Sequence, residues 1–166
     1  MSLLATKSSF YATFKSLGAL FLFIAFGLFL DSFYVVNITD NAQTYANISM
    51  FIGFFIVFSQ VNKRVKEQMI SAVIIAVLGE YLFSIVSGMY TYRLENVPHY
   101  VPPGHALVYV AVLYFSKASS ILKNKIKIEK ILSIFILIYA TAFLIFGNDV
   151  FGFVMTIATL YILRKK

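Results

Sequence analysis

Six apolar runs alternate with polar segments along the chain, and their lengths point to membrane spans. A helix crossing a bilayer needs about 20 mostly apolar residues, at 1.5 Å of rise each. The runs cover residues 17–36, 45–61, 69–90, 102–116, 131–147 and 150–163. Asp31 falls in the last third of the first run, and Glu80 near the middle of the third. The fourth and sixth runs are short and fit a thinner bilayer or shielding by neighbours. Pro102-Pro103-Gly104 starts the fourth, because proline in a first helical turn forfeits no hydrogen bond. Gly147-Asn148-Asp149 is turn chemistry, so the last two runs predict a tight helical hairpin, crossing fully or re-entrant. The expectation is an all-α integral membrane protein, a six-transmembrane-helix bundle forming one domain over 1–166.

The cations orient this bundle. Lys7 and Lys15 precede the first run. Lys63, Arg64 and Lys66 separate the second from the third. Lys117, Lys123, Lys125, Lys127 and Lys130 separate the fourth from the fifth, and Arg164, Lys165 and Lys166 end the chain. Of the fourteen basic residues only Arg93 falls on the other side, so the pattern predicts both termini in the cytoplasm. The inner membrane of a prokaryotic cell is the expected location. Lys7 and Lys15 before an apolar run imitate a signal peptide, but Asp31-Ser32-Phe33-Tyr34 offers no small-x-small cleavage site, so the run reads as an uncleaved span. Residues 117–130 mix five lysines with Ile121, Leu122, Ile126 and Ile128. They fit a cytoplasmic loop, or a segment lying on anionic headgroups.

Composition agrees with the pattern. The chain is 60% hydrophobic and 13% charged, where soluble domains are ~45–50% and ~25%. A soluble enzyme or a nucleic-acid-binding domain is therefore a poor reading. The net charge of +7 belongs to topology, not to a nucleic-acid partner. Absence of cysteine removes disulfides, thiol chemistry and Cys-ligated metals.

What remains polar is local. An ionisable group inside a membrane costs ~2.5–3.5 kcal/mol on insertion scales and normally faces a bundle interior or a wet cavity. Glu80, Ser84, Ser87 and Thr91 share one helical face, which would line a polar cleft opening to the extracytoplasmic side. Residues 90–109 hold all three prolines, Pro98, Pro102 and Pro103, around Arg93, His99 and His105, with Tyr109 one turn beyond His105. Proline stiffens such a segment by fixing φ. Asp31 and Asn47 lie at a depth that would join the cleft.

Three roles fit these groups. Glu80 and His105 could act as general acid and base, with Arg93 as anion partner. The same set could bind a ligand without turnover, with Arg93, His99, Tyr109, Ser84, Ser87 and Asp31 as contacts. A metal site of His99, His105 and Glu80 is a weaker reading, because its spacing matches no common ligand pattern. Structural roles stand beside these: Glu80 held by an interhelical bond, or Arg93 paired with Glu95. No phosphate-binding loop, HExxH or Gly-x-Ser-x-Gly occurs, and no lysine lies deep in a span. The sequence implies no particular cofactor. The leading expectation is a small membrane-embedded enzyme acting on a lipid-linked or amphiphilic substrate. A ligand-binding or transport subunit is the alternative, and a structural subunit contacting another membrane protein is a third.

Overall fold

The computed structural model describes residues 18–165, and among these it contains helices and no strands. In order they are α1 (Gly18–Leu30), α2 (Phe33–Val36), α3 (Ala42–Gln60), α4 (Lys63–Glu80), α5 (Val101–Ser116), α6 (Ser119–Lys123), α7 (Lys125–Gly147) and α8 (Val150–Arg164). A π-helical turn, Tyr81–Val86, continues α4. Two compact units result, one up to Ala118 and the other from Ser119. Lys7, Lys15 and Lys166, expected on the cytoplasmic side, lie outside the described residues.

Three helices are long and apolar enough to cross a bilayer: α3, α4 with its π turn (Lys63–Val86), and α7. Only 22%, 17% and 6% of their apolar windows are buried. Their large side chains point outward instead, as Phe146 and Ile75 do. An apolar surface of this extent is compatible with a membrane protein. The shorter apolar helices are α1, α5 and α8.

The boundaries differ from the hydropathy pattern for local reasons. The first run breaks at Asp31-Ser32, where backbone bonds from Asp31 N–H to the Leu28 carbonyl and from Ser32 N–H to the Phe29 carbonyl form a turn. The third run begins six residues earlier than predicted, because Asn62 caps α4 by accepting from the Val65 N–H at 3.0 Å. It ends before Tyr90, because Gly88 takes φ +60° and terminates the helix. The fifth run absorbs Lys125, Lys127 and Lys130 into the start of α7. The predicted hairpin of α7 and α8 is present: Asn148, in the left-handed region at φ 52°, ends α7, and the Asp149 carboxylate caps α8 by accepting from Gly152 N–H at 2.8 Å.

In the first unit α5 packs against both α3 and α4. Its core centres on Met50, Met69 and Leu107, all fully buried, with Val65, Ala106 and Val110 around them. Small residues on α3 and α5 let these helices approach. Gly27 brings α1 against Met50, since a Cβ there would stand 2.8 Å from its methyl carbon. Pro98, Pro102 and Pro103 are buried, so the proline-rich segment is a packed part of this unit.

Candidate functional site

The site is built by the way α4 ends. After Glu80 the helix widens into the π turn, with Ser87 N–H donating to the Leu82 carbonyl at 2.8 Å. Single π turns recur at functional positions. Gly88 then reverses the chain, and Met89 N–H reaches back to the Phe83 carbonyl at 2.9 Å. The next residues are irregular, and both Tyr90 and Tyr92 turn back to Glu80. Both hydroxyls donate to Glu80 Oε2, at 2.6 and 2.7 Å. Sequence spacing alone would have set Tyr90 about 15 Å along the helix from Glu80; the reversal brings it into contact.

The other carboxylate oxygen meets α5. His105 Nε2 lies 3.1 Å from Glu80 Oε1. An ionised Glu80 can only accept, and in that state the imidazole donates from Nε2 to Oε1. Nδ1 has no hydrogen-bond partner among the described residues. The Glu80 side chain is 10% exposed and that of His105 is 56% exposed. One member of the pair is thus held inside the fold, and the other faces outward.

That outward face is a groove of about 520 Å³ between α4 and α5. Gln68, Ser71, Ala72, Ala76 and Gly79 form its floor along α4. Phe83, Tyr109 and the Glu80–His105 pair close one end. The volume falls within the ~300–1,000 Å³ of ligand pockets, which are typically apolar with a few polar groups. A second groove, of about 610 Å³ on α3, is lined by Asn47, Phe51, Phe55 and Ser59 and holds no ionisable group.

Asp31 makes a separate cluster. Arg93 Nη2 donates to its Oδ1 at 2.5 Å, and the Tyr100 hydroxyl donates to its Oδ2 at 3.1 Å. Asp31 is 8% exposed at its side chain and Arg93 21%. Arg93 therefore pairs with Asp31 on the first helical run, not with nearby Glu95. Glu95 instead occupies a left-handed turn position at φ 54°. Asn96 and Gln43 exchange amide hydrogen bonds at 3.3 and 3.4 Å, fastening the same loop to α3. Burial pushes the Tyr100 phenol above its ordinary range, and the Asp31 charge adds to this. Tyr92 is raised in the same direction, by burial first and then by its bond to Glu80.

The sequence-predicted residues divide accordingly. Glu80, His105 and Tyr109 come together at the groove. Asp31 and Arg93 come together with each other. Ser84 is buried and Ser87 exposed, and neither lines the groove; Thr91 lies beyond the helix end. Asn47 lines the other groove, and its Oδ1 is buried without a partner among the described residues. His99 is exposed on the loop. Among the described residues no three His, Cys, Asp or Glu side chains converge, so the His99–His105–Glu80 metal site does not assemble. Read from the sequence, Tyr90 and Tyr92 had no role at the site. Gly88 as a helix stop, followed by two tyrosines, was the signal that could have placed them on Glu80.

Comparison with protein-family models, with curated proteins and with solved structures finds no match for this chain.

Proposed function

We propose that this chain is a polytopic membrane protein whose α4–α5 groove binds an amphiphile and whose Glu80–His105 pair transfers a proton to or from that molecule's polar group. The observation that carries the reading is the 3.1 Å contact between the two at the ionisable end of a mostly apolar groove. Glu80 orients the imidazole and would stabilise its charged form, as carboxylates do for catalytic histidines. His105 Nδ1 is then the group for general acid or base work. The apolar groove suits a lipid tail, and Tyr109 supplies a hydroxyl beside the head. In this reading the chain makes six crossings in a single bundle, with the groove's polar end extracytoplasmic and both termini cytoplasmic, in an inner membrane of prokaryotic type. The charge asymmetry of the sequence supports that orientation.

Ligand binding without turnover is the second reading. It is favoured by the completeness of Glu80's bonding, with three donors already in place. One experiment separates the two. The protein, reconstituted in vesicles, is incubated with a long-chain fatty alcohol carrying a photoactivatable diazirine. Crosslinking to α4 and α5 peptides is mapped, and vesicle lipids are weighed by mass spectrometry before and after. Enzyme action gives groove labelling together with a lipid mass change, because catalytic proton transfer then accompanies a bond broken at the head, as when water hydrolyses a lipid ester to acid and alcohol, and Glu80→Gln and His105→Gln both abolish it. Labelling with no mass change for this alcohol or the vesicle lipids favours binding alone. Labelling spread evenly over all exposed helix faces contradicts both readings.

A further inference from the structure

The second unit carries its charge at one end. The turn at Asn148-Asp149 folds α8 back along α7, so the start of α7 and the end of α8 share one end of a helical hairpin. Lys123, Lys125, Lys127, Lys130, Arg164 and Lys165 all lie there, against one acid, Glu129. The unit's other acid, Asp149, caps α8 at the opposite end. Glu129 is taken by Lys125 at 3.6 Å, and Lys165 lies over the Tyr161 ring at 4.8 Å. Lys127, Lys130 and Arg164 are exposed and have no hydrogen bond or ion pair among the described residues.

Two of these free cations stand on the helix seam itself. On α8 the half-buried positions Phe153, Thr156 and Leu160 recur at steps of three and four, and the next step of four is Arg164. On α7 Leu144, Ala140 and Ser133 mark the matching stripe, which continues at steps of three and four to Lys130 and Ile126. Counting equal rises from the turn puts Arg164 about level with Ser133, one helical turn from Lys130. Ile126, on the same stripe beyond the end of α8, is 83% exposed. The lysines do not serve the dipole of α7, which disfavours positive charge near a helix start. Next to the cations the exposed surface turns apolar: Ile131, Leu132, Ile162 and Leu163 are all more than half exposed. An anion between Lys130 and Arg164 relieves their repulsion, and one that carries apolar chains also covers the neighbouring surface.

From this juxtaposition we infer that the basic end of the α7–α8 hairpin binds an anionic phospholipid. Its phosphate lies between Lys130 and Arg164, with Lys127 at the flank, and its chains run along Ile131, Leu132, Ile162 and Leu163. Only the membrane placement is shared with the proposed function; the α4–α5 groove plays no part.

The test uses the full chain in nanodiscs of phosphatidylcholine and two photoactivatable probes. These are phosphatidylglycerol and phosphatidylcholine, each with a diazirine beside the ester of one acyl chain. Labelled peptides are mapped by mass spectrometry. Phosphatidylglycerol is expected to label residues 126–132 and 161–165 about tenfold more than phosphatidylcholine does, as a few basic side chains at one headgroup allow. The double variant Lys130→Gln with Arg164→Gln should bring the two labels level. Lys125→Gln, whose amine is already engaged by Glu129, should leave the preference standing. Equal labelling by the two lipids in the unmodified chain overturns this inference and leaves the groove standing. So does a phosphatidylglycerol preference equally large at residues 63–66, which would be general attraction to basic segments. So does polyglutamate that binds the discs through Lys130 and Arg164 while the lipids show no preference, the signature of an acidic protein partner. A chain that does not enter the discs overturns both this inference and the membrane reading.

Discussion

Two carboxylates in the first unit are held by similar chemistry and end in different surroundings. Asp31 accepts from a tyrosine hydroxyl and an arginine; Glu80 accepts from two tyrosine hydroxyls and a histidine. Around Asp31 the partners are enclosed: Tyr100 is buried and the Arg93 side chain is only 21% exposed. Around Glu80 the tyrosines hold the inner oxygen while His105 faces a groove. The difference teaches that a charged residue in an apolar chain is not by itself a sign of chemistry. An enclosed pair fixes where a loop sits. A pair with one open member can meet a substrate.

Breaking the enclosed pair should have the largest effect on stability. Removing one partner of a buried ion pair typically costs about 3–5 kcal/mol, because the other is left buried and uncompensated. Arg93→Ala and Asp31→Leu are therefore each expected to lower the thermal midpoint strongly in detergent. The double variant Asp31→Leu with Arg93→Met should recover much of the loss, because similar-sized apolar replacements of buried pairs are often neutral. If the double variant is as unstable as the sum of the singles, the Arg93–Asp31 contact is not what holds the loop.

The π turn and its glycine come next. Gly88→Ala places a side chain at φ +60°, with open space around it, so the cost is backbone strain of about 1–2 kcal/mol. Because that turn aims Tyr90 and Tyr92 at Glu80, the variant should also weaken groove labelling. Tyr92→Phe removes one donor to a carboxylate, a loss of about 1.5–3 kcal/mol by hydrogen-bond series. It is expected to fall near Gly88→Ala in a denaturation series. An unchanged midpoint for both would mean the loop is held from its Asp31 side alone.

A smaller effect is expected from alkali. Tyr92 and Tyr100 have folded-state pKa values raised above the ordinary 10.0, so the fold binds their protons more tightly than the unfolded chain does. Stability is then complete below pH 10 and falls as pH rises beyond it. Tyr100→Phe should flatten that fall, read as thermal midpoint against pH. A pH-independent midpoint in the wild type above 10 would contradict the buried phenols.

How much of this was legible in the sequence can be traced to particular residues. Hydropathy found every long helix, because apolar runs of this length have few other folds. The α7–α8 hairpin was readable from Gly147-Asn148-Asp149, a local signal. Glu80 and His105 stood out as rare ionisable groups, and their meeting was raised among the possible roles. The partners that complete the two clusters were not readable. Arg93 finds Asp31 62 positions away, and no local rule chooses that over Glu95, two residues along. Tyr90 and Tyr92 went unassigned because helical periodicity was carried past Gly88. Carrying that same face on to Thr91 also placed Glu80 at mid-helix, when it lies toward the Val86 end.

His105→Gln tests the central contrast most directly, measured as groove crosslinking by the photoactivatable fatty alcohol alongside the thermal midpoint. An exposed partner adds little to stability, within about 1 kcal/mol, so the midpoint should stay near the wild type. Labelling of the α4 and α5 groove peptides should fall about tenfold, the loss of one hydrogen bond to the head. Undiminished labelling, or a midpoint that drops as far as in Arg93→Ala, would show that the Glu80–His105 pair is another structural clamp and contradict the proposed site.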